Sequence, residues 1–105
     1  MRLNLIIGEY SLDMEIQDGY LETMTDSFGK MDQDMSQGVQ LGQQWVENPS
    51  QLQRCQVAAD KLLSAIENHN ETLAMLTGGY IVSHLSSIKQ VKINTEGEPA
   101  ETEFH

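Results

Sequence analysis

Methionine is the most abundant soft donor in this chain: six are present, and Met24, Met31 and Met35 recur at helical spacing on one face. Thioethers grouped in this way can hold Cu(I). Folding the chain as a helical hairpin about residues 48 and 49 also sets Met14 near His84, a ligand pair that binds haem iron in some bundles. The same side chains are suited to irregular apolar contacts, because methionine is unbranched and flexible. With no cysteine cluster and no haem-attachment motif, packing is the reading adopted, and no cofactor is expected. His69 falls on an apolar stripe and is read as a hydrogen-bonded core histidine. Glu67-Asn68-His69 lacks the three-residue step at which Glu and His of a di-metal site leave one helix face. Cys55 and the serines are not accompanied by a nucleophile motif or a phosphate-binding loop. No catalytic or metal-binding residue is assigned, and the chain is expected not to be an enzyme.

Charge narrows the partners. Sixteen acidic residues against six basic ones give a formal charge of -10, which repels nucleic-acid phosphate and anionic lipid and favours a protein partner with a basic surface. Asp13, Glu15, Asp18, Glu22, Asp26, Asp32 and Asp34 read as a solvated acidic row; the specific alternative is a mimic of DNA phosphates directed at a basic nucleic-acid-binding protein. Within this region Asp26, Asp32 and Asp34, together with Met24, Met31, Met35 and Trp45, are the expected interaction residues. No apolar stretch approaches the ~18 residues of a membrane span, and the run after Met1-Arg2 is short for a signal peptide. A soluble, cytoplasmic protein that does not engage membranes is expected. The lone Cys55 excludes an intrachain disulfide and agrees with a reducing compartment.

The elements that would position these residues are read from apolar periodicity. Leu21, Met24, Phe28, Met31, Met35, Gly38, Gly42 and Trp45 follow steps of three and four, predicting a first helix from about Gly19 to Glu47. Leu52, Cys55, Ala59, Leu62, Ile66, His69, Leu73 and Leu76 repeat the pattern and predict a second. Pro49 disfavours helical geometry at Asn48, and Ser50 is a natural N-cap for the second helix. The fold class expected is therefore mainly α: an antiparallel helical hairpin that forms a bundle by dimerisation, since two helices alone enclose no core. In this register Gly42 faces Cys55, Gly38 and Val39 face Ala58 and Ala59, Met35 faces Leu62, and Phe28 faces His69. Asn68 to Asn70 is the weak point, where Asn68 with Glu71 resembles a capping box and could begin a third helix. Gly78-Gly79 coincides with a phase slip of the stripe, where the second helix restarts or gives way to extended structure.

The chain ends admit two readings. Residues 2–17 alternate apolar and polar side chains about Gly8-Glu9, as a β-hairpin would, or else continue the first helix backward to about Ser11. Val91-Lys92-Ile93-Asn94 alternates too, and residues 2–7 and 90–95 could pair as a small ribbon. Residues 1–95 are taken as one helical domain and 96–105, acidic with Gly and Pro, as a disordered tail.

Trp45-Val46-Glu47-Asn48-Pro49-Ser50 resembles the turn of small secretion-system hairpins, both the Trp-x-Gly class and needle subunits with an Asn-Pro turn. Position 47 is Glu where the first class has Gly, and the acidic tail is unlike a needle's helical C terminus. The resemblance implies a secretion-apparatus subunit. The residues themselves point to a small acidic protein-interaction module: an adaptor, regulator or assembly chaperone that forms a homo-oligomer.

Overall fold

Leu3 and Leu5 on one strand, and Leu12 and Met14 on the next, alternate with polar residues, so each strand has one apolar face. They form β1 (Arg2–Ile7) and β2 (Tyr10–Glu15), joined by a two-residue turn in which Gly8 takes φ 61°. Leu3 lies opposite Met14 and Leu5 opposite Leu12 in the antiparallel pair. A computed structural model describes all of residues 1–105. After the hairpin come α1 (Tyr20–Thr23), α2 (Thr25–Met35), β3 (Val39–Leu41), β4 (Gln44–Val46), α3 (Gln51–Glu67), α4 (Glu71–His84) and β5 (Gln90–Ile93). A 3-10 turn (Pro99–Glu101) and β6 (Glu103–Phe104) complete the chain.

The strands order as β2-β1-β5-β6, with β1 and β5 parallel and both outer pairs antiparallel. Parallel strands require a crossover, and here everything from α1 to α4 supplies it. Leu3, Leu5, Val91 and Ile93 are buried beneath the helices. The opposite face is polar: Asn4 donates to Ser11 Oγ and Asp13 Oδ1 and accepts from Gln90 Nε2, each at 2.9 Å.

This mixed α/β architecture overturns the mainly α hairpin. The first helix ends at Met35 because Gly38 takes φ 124° and Gly42 takes φ 63°, values outside any right-handed helix. Between them Val39 and Leu41 are buried and Gln40 is exposed, a period of two hidden within a stripe that also satisfies threes and fours. β3 and β4 therefore form a ribbon, and Gly42 lies near Pro99 and Gly97 instead of Cys55.

The second predicted helix is two helices. Asn70 N–H bonds to Ala65 O at 2.8 Å and His69 N–H to Ile66 O at 3.2 Å, the two bonds of a Schellman closure, with His69 left-handed at φ 55°. His69 is exposed there and does not enter the core or face Phe28. Asn70, not Asn68, caps α4 by accepting from Leu73 N–H at 3.1 Å. Ser50 caps α3 as expected, completing a capping box with Gln53.

α4 runs straight through Gly78-Gly79, and the glycines serve close packing: a Cβ on Gly79 would lie 2.9 Å from Tyr20 Cε2 and 3.1 Å from Phe28 Cζ. Residues 96–105, expected without structure, are held in place. Gln56 Nε2 donates to Ala100 O at 3.1 Å, Thr102 is buried, and β6 sets Glu103 opposite Lys92.

Three substitutions check these local accounts. His69→Gly should stabilise the fold by up to about 1 kcal/mol, because it removes a left-handed Cβ penalty at an exposed position. Gly79→Ala should cost about 1 kcal/mol net, as overpacking against two rings outweighs the gain in helix propensity. Gly78→Ala meets only the flexible end of Met14 and should be near neutral. Thermal and denaturant melts of the three variants decide both points.

Candidate functional site

Asp32 leaves the middle of α2 toward the C-terminal end of α4 and the first turn of α3. Its Oδ2 lies 2.8 Å from His84 Nε2, its Oδ1 lies 3.2 Å from an Arg54 terminal nitrogen, and the Tyr80 hydroxyl donates to Oδ1 as well. Tyr80 and His84 are one helical turn apart, so their rings stack, with centroids 4.1 Å apart. Phe28 meets Tyr80 edge-on at 6.1 Å. Arg54 also donates to Pro49 O at 3.1 Å and Asp32 O at 3.3 Å, and Gln51 Nε2 donates to His84 O. Asp32, Pro49, Gln51, Arg54 and His84 line an open polar cleft of about 270 Å³.

The electrostatics follow from these contacts. Partial burial pushes the Asp32 carboxyl up, but hydrogen bonds from Tyr80, His84 and Arg54, with the charge of His84, outweigh it and hold Asp32 below the usual carboxylate range. Burial and the adjoining carboxylate raise the Tyr80 hydroxyl. Cys55 lies beneath, fully buried, its thiol pushed up to about 12 by burial and by the Asp32 charge. It is not a thiolate nucleophile in the native state.

Ser83 Oγ, His84 Nδ1, His84 Nε2 and Asp32 Oδ2 form a continuous line with 2.8 Å at each of its two hydrogen-bond gaps. A Ser-His-Asp triad needs the ring nitrogen next to serine to accept a proton. Here Nδ1 also lies 2.9 Å from Tyr80 O, an acceptor only, while Ser83 donates to that same carbonyl at 2.8 Å. Ser83 Oγ and His84 Nδ1 thus approach the same backbone carbonyl, an arrangement unlike that of a triad. The cluster is a polar clamp joining three helices. No group of three or more His, Cys, Asp and Glu side chains converges in a geometry that could hold a metal ion.

The expected interaction residues separate into two sets. Trp45 is 61% exposed, and Asp26 and Asp34 are exposed on α2. Asp32 belongs to the clamp; Met35 is buried, and Met24 and Met31 pack against the core from partly buried positions. Met14 lies against Gly78, not beside a haem pocket with His84. The seven acids of the proposed row are divided among β2, the loop after it, α1 and α2, so they do not follow one helix face. Arg54, Tyr80 and His84 were not singled out as Asp32's partners, being 22, 48 and 52 residues away from it. The one local signal was the four-residue step from Tyr80 to His84.

Asp32→Asn removes the charge, leaves Arg54 without its counter-ion and weakens the bonds from Tyr80 and His84, and should cost about 1–3 kcal/mol. A native carboxyl held low contributes stability that is complete above its unfolded value of ~3.9 and is lost as pH falls through the native value. The gap in stability between parent and Asp32→Asn should therefore narrow on acidification below about pH 4. Melting both proteins across that range measures it. No protein-family model, curated protein or solved structure matches the chain.

Proposed function

We propose that this chain is a small acidic protein-interaction module, an adaptor, regulator or assembly chaperone without catalytic chemistry, which anchors a partner on Trp45. The observation that carries this reading is the placement of that indole. It lies over Gly38, where a Cβ would come within 2.4 Å of the ring, and yet the residue is 61% exposed. The short β3–β4 ribbon thus presents a large aromatic surface with one face supported by backbone. Few rotamers remain to be lost on binding, which is why Trp anchors contribute heavily at interfaces. Exposed acids on α2 and the net charge of -10 suit a partner with a basic surface. The closed hydrogen bonding of the Asp32 clamp and the buried Cys55 support a role without catalysis.

The secretion-hairpin resemblance placed Trp45 to Ser50 at a helix–helix turn, whereas Trp45 lies in β4 and the segment leads from a ribbon into α3. Much of the two apolar stripes through which self-association was expected is buried within the chain, and light scattering at micromolar concentration decides the oligomeric state.

Trp45 is the only tryptophan, so its emission reports the interface directly. Binding of a partner purified from native lysate should shift that emission to shorter wavelength and should weaken as salt is raised. Trp45→Ala should abolish capture while leaving the melting temperature within about 2 °C, since the side chain is mostly in water. Undiminished capture by Trp45→Ala would overturn the assignment.

A further inference from the structure

β2 is an outer strand of the sheet, bonded only to β1, while the opposite edge, β6, is two residues long. Met1 and Ile16 exchange both backbone hydrogen bonds, at 2.9 and 2.7 Å. Such doubly bonded pairs alternate along an antiparallel ladder. The pairs Leu3↔Met14, Leu5↔Leu12 and Ile7↔Tyr10 therefore carry the bonds to β1. The backbone N–H and C=O groups of Ser11, Asp13 and Glu15 point outward, away from β1.

Beside this open edge the helices leave part of the sheet uncovered. Leu12 and Met14 share the helix-facing side with Leu5, and with Ile66, Ala74 and Met75 they form an apolar trough of about 390 Å³. Leu12 remains 44% exposed and Tyr10 79% exposed. The charged residues bordering the trough are all acidic: Glu71, and Asp13 and Glu15, whose side chains alternate to the opposite face of β2.

We infer that the β2 edge and its trough form a docking site for an extended segment of a partner protein with alternating apolar and basic residues, added to the sheet as a fifth strand. Backbone groups of Ser11, Asp13 and Glu15 bond the incoming strand, its apolar side chains enter the trough, and its basic ones lie on the other face beside Asp13, which also accepts from Asn4, and the largely exposed Glu15, which Arg2 and the Met1 amino group approach only to 3.6 Å. A second copy of β2 fits poorly. Antiparallel registers that use the outward-facing residues set Asp13 or Glu15 opposite Glu9, Asp13 or Glu15 of the other copy, and like charges directly opposite are destabilising. The acids therefore discourage self-pairing, a common defence of open edges, and leave the edge complementary to a basic strand. The inference rests on the chain being an interaction module, but on a surface separate from Trp45.

The test uses a capped heptapeptide of alternating lysine and valine, a block-order peptide of the same composition, and an alternating glutamate and valine peptide. Only the first should bind, with new hydrogen-exchange protection at the Ser11, Asp13 and Glu15 amides. Leu12→Lys places a cation in the trough at an exposed position, and Asp13→Pro removes one outward N–H while keeping the backbone bonds to β1; because it also gives up the Asn4–Asp13 side-chain bond, Asp13→Ala, which keeps the N–H, serves as its control. Leu12→Lys and Asp13→Pro should each weaken binding by at least about tenfold, with folding checked by melting. Equal binding of the block peptide, protection elsewhere, or unchanged affinity of Leu12→Lys would overturn the inference. So would protection of the β2 edge that appears with protein concentration alone, which would make a second copy the occupant. Trp45→Ala should leave peptide binding unchanged, so failure of the Trp45 assignment and failure of the edge site give different results.

Discussion

A single carboxylate holds three helices in register. Asp32 receives hydrogen bonds from Arg54 on α3 and from Tyr80 and His84 on α4, so α2 cannot shift along either neighbour without stranding a charge. Partial burial makes the arrangement costly to break, since an unpaired ion in that position loses hydration without compensation. Arg54 extends the restraint by bonding the Pro49 carbonyl, which fixes the chain's entry into α3. The chain has only six Lys and Arg side chains. Using one of them here leaves the remaining surface strongly acidic.

Elements set by local signals were legible in the sequence, and those set by distant partners were not. Ser50 before a regular apolar stripe defined the start of α3, because a cap and a period both act within a few residues. The alternation about Gly8-Glu9 admitted the hairpin for the same reason. The segment from Gly38 to Trp45 was misread because three residues of strand fit a helical stripe as well as a two-residue period. Only the positive φ of Gly38 and Gly42 separates the two. His69 was misplaced because nothing in a stripe reveals a left-handed residue that lacks the usual glycine. At the site, exposed acids and clamped acids look alike in sequence, and Asp32 was distinguished from Asp26 and Asp34 only by side chains brought in from α3 and α4.

The molecule divides its polar groups between internal order and external contact. The clamp and the Asn4 row on the sheet are satisfied within the chain, and no buried side-chain nitrogen or oxygen lacks a partner. The outward backbone groups of β2 face away from β1, and the most exposed large apolar side chains are Tyr10 and Trp45. A rigid interior with a few open features is the arrangement expected of a protein whose affinity depends on little being reordered when it binds.

The parallel pairing of β1 with β5 has a kinetic consequence. Asn4 and Gln90 are 86 residues apart, yet they bond side by side at the centre of the sheet. The β1–β2 hairpin closes over two residues and the α3–α4 pair over a short loop, so both can form with little loss of chain entropy. Joining β5 to β1 closes a far longer loop and carries the larger entropy cost. In any state that lacks this contact β1 has an open edge on its inner side, so a strand paired on both sides in the native sheet becomes one open to wrong pairing.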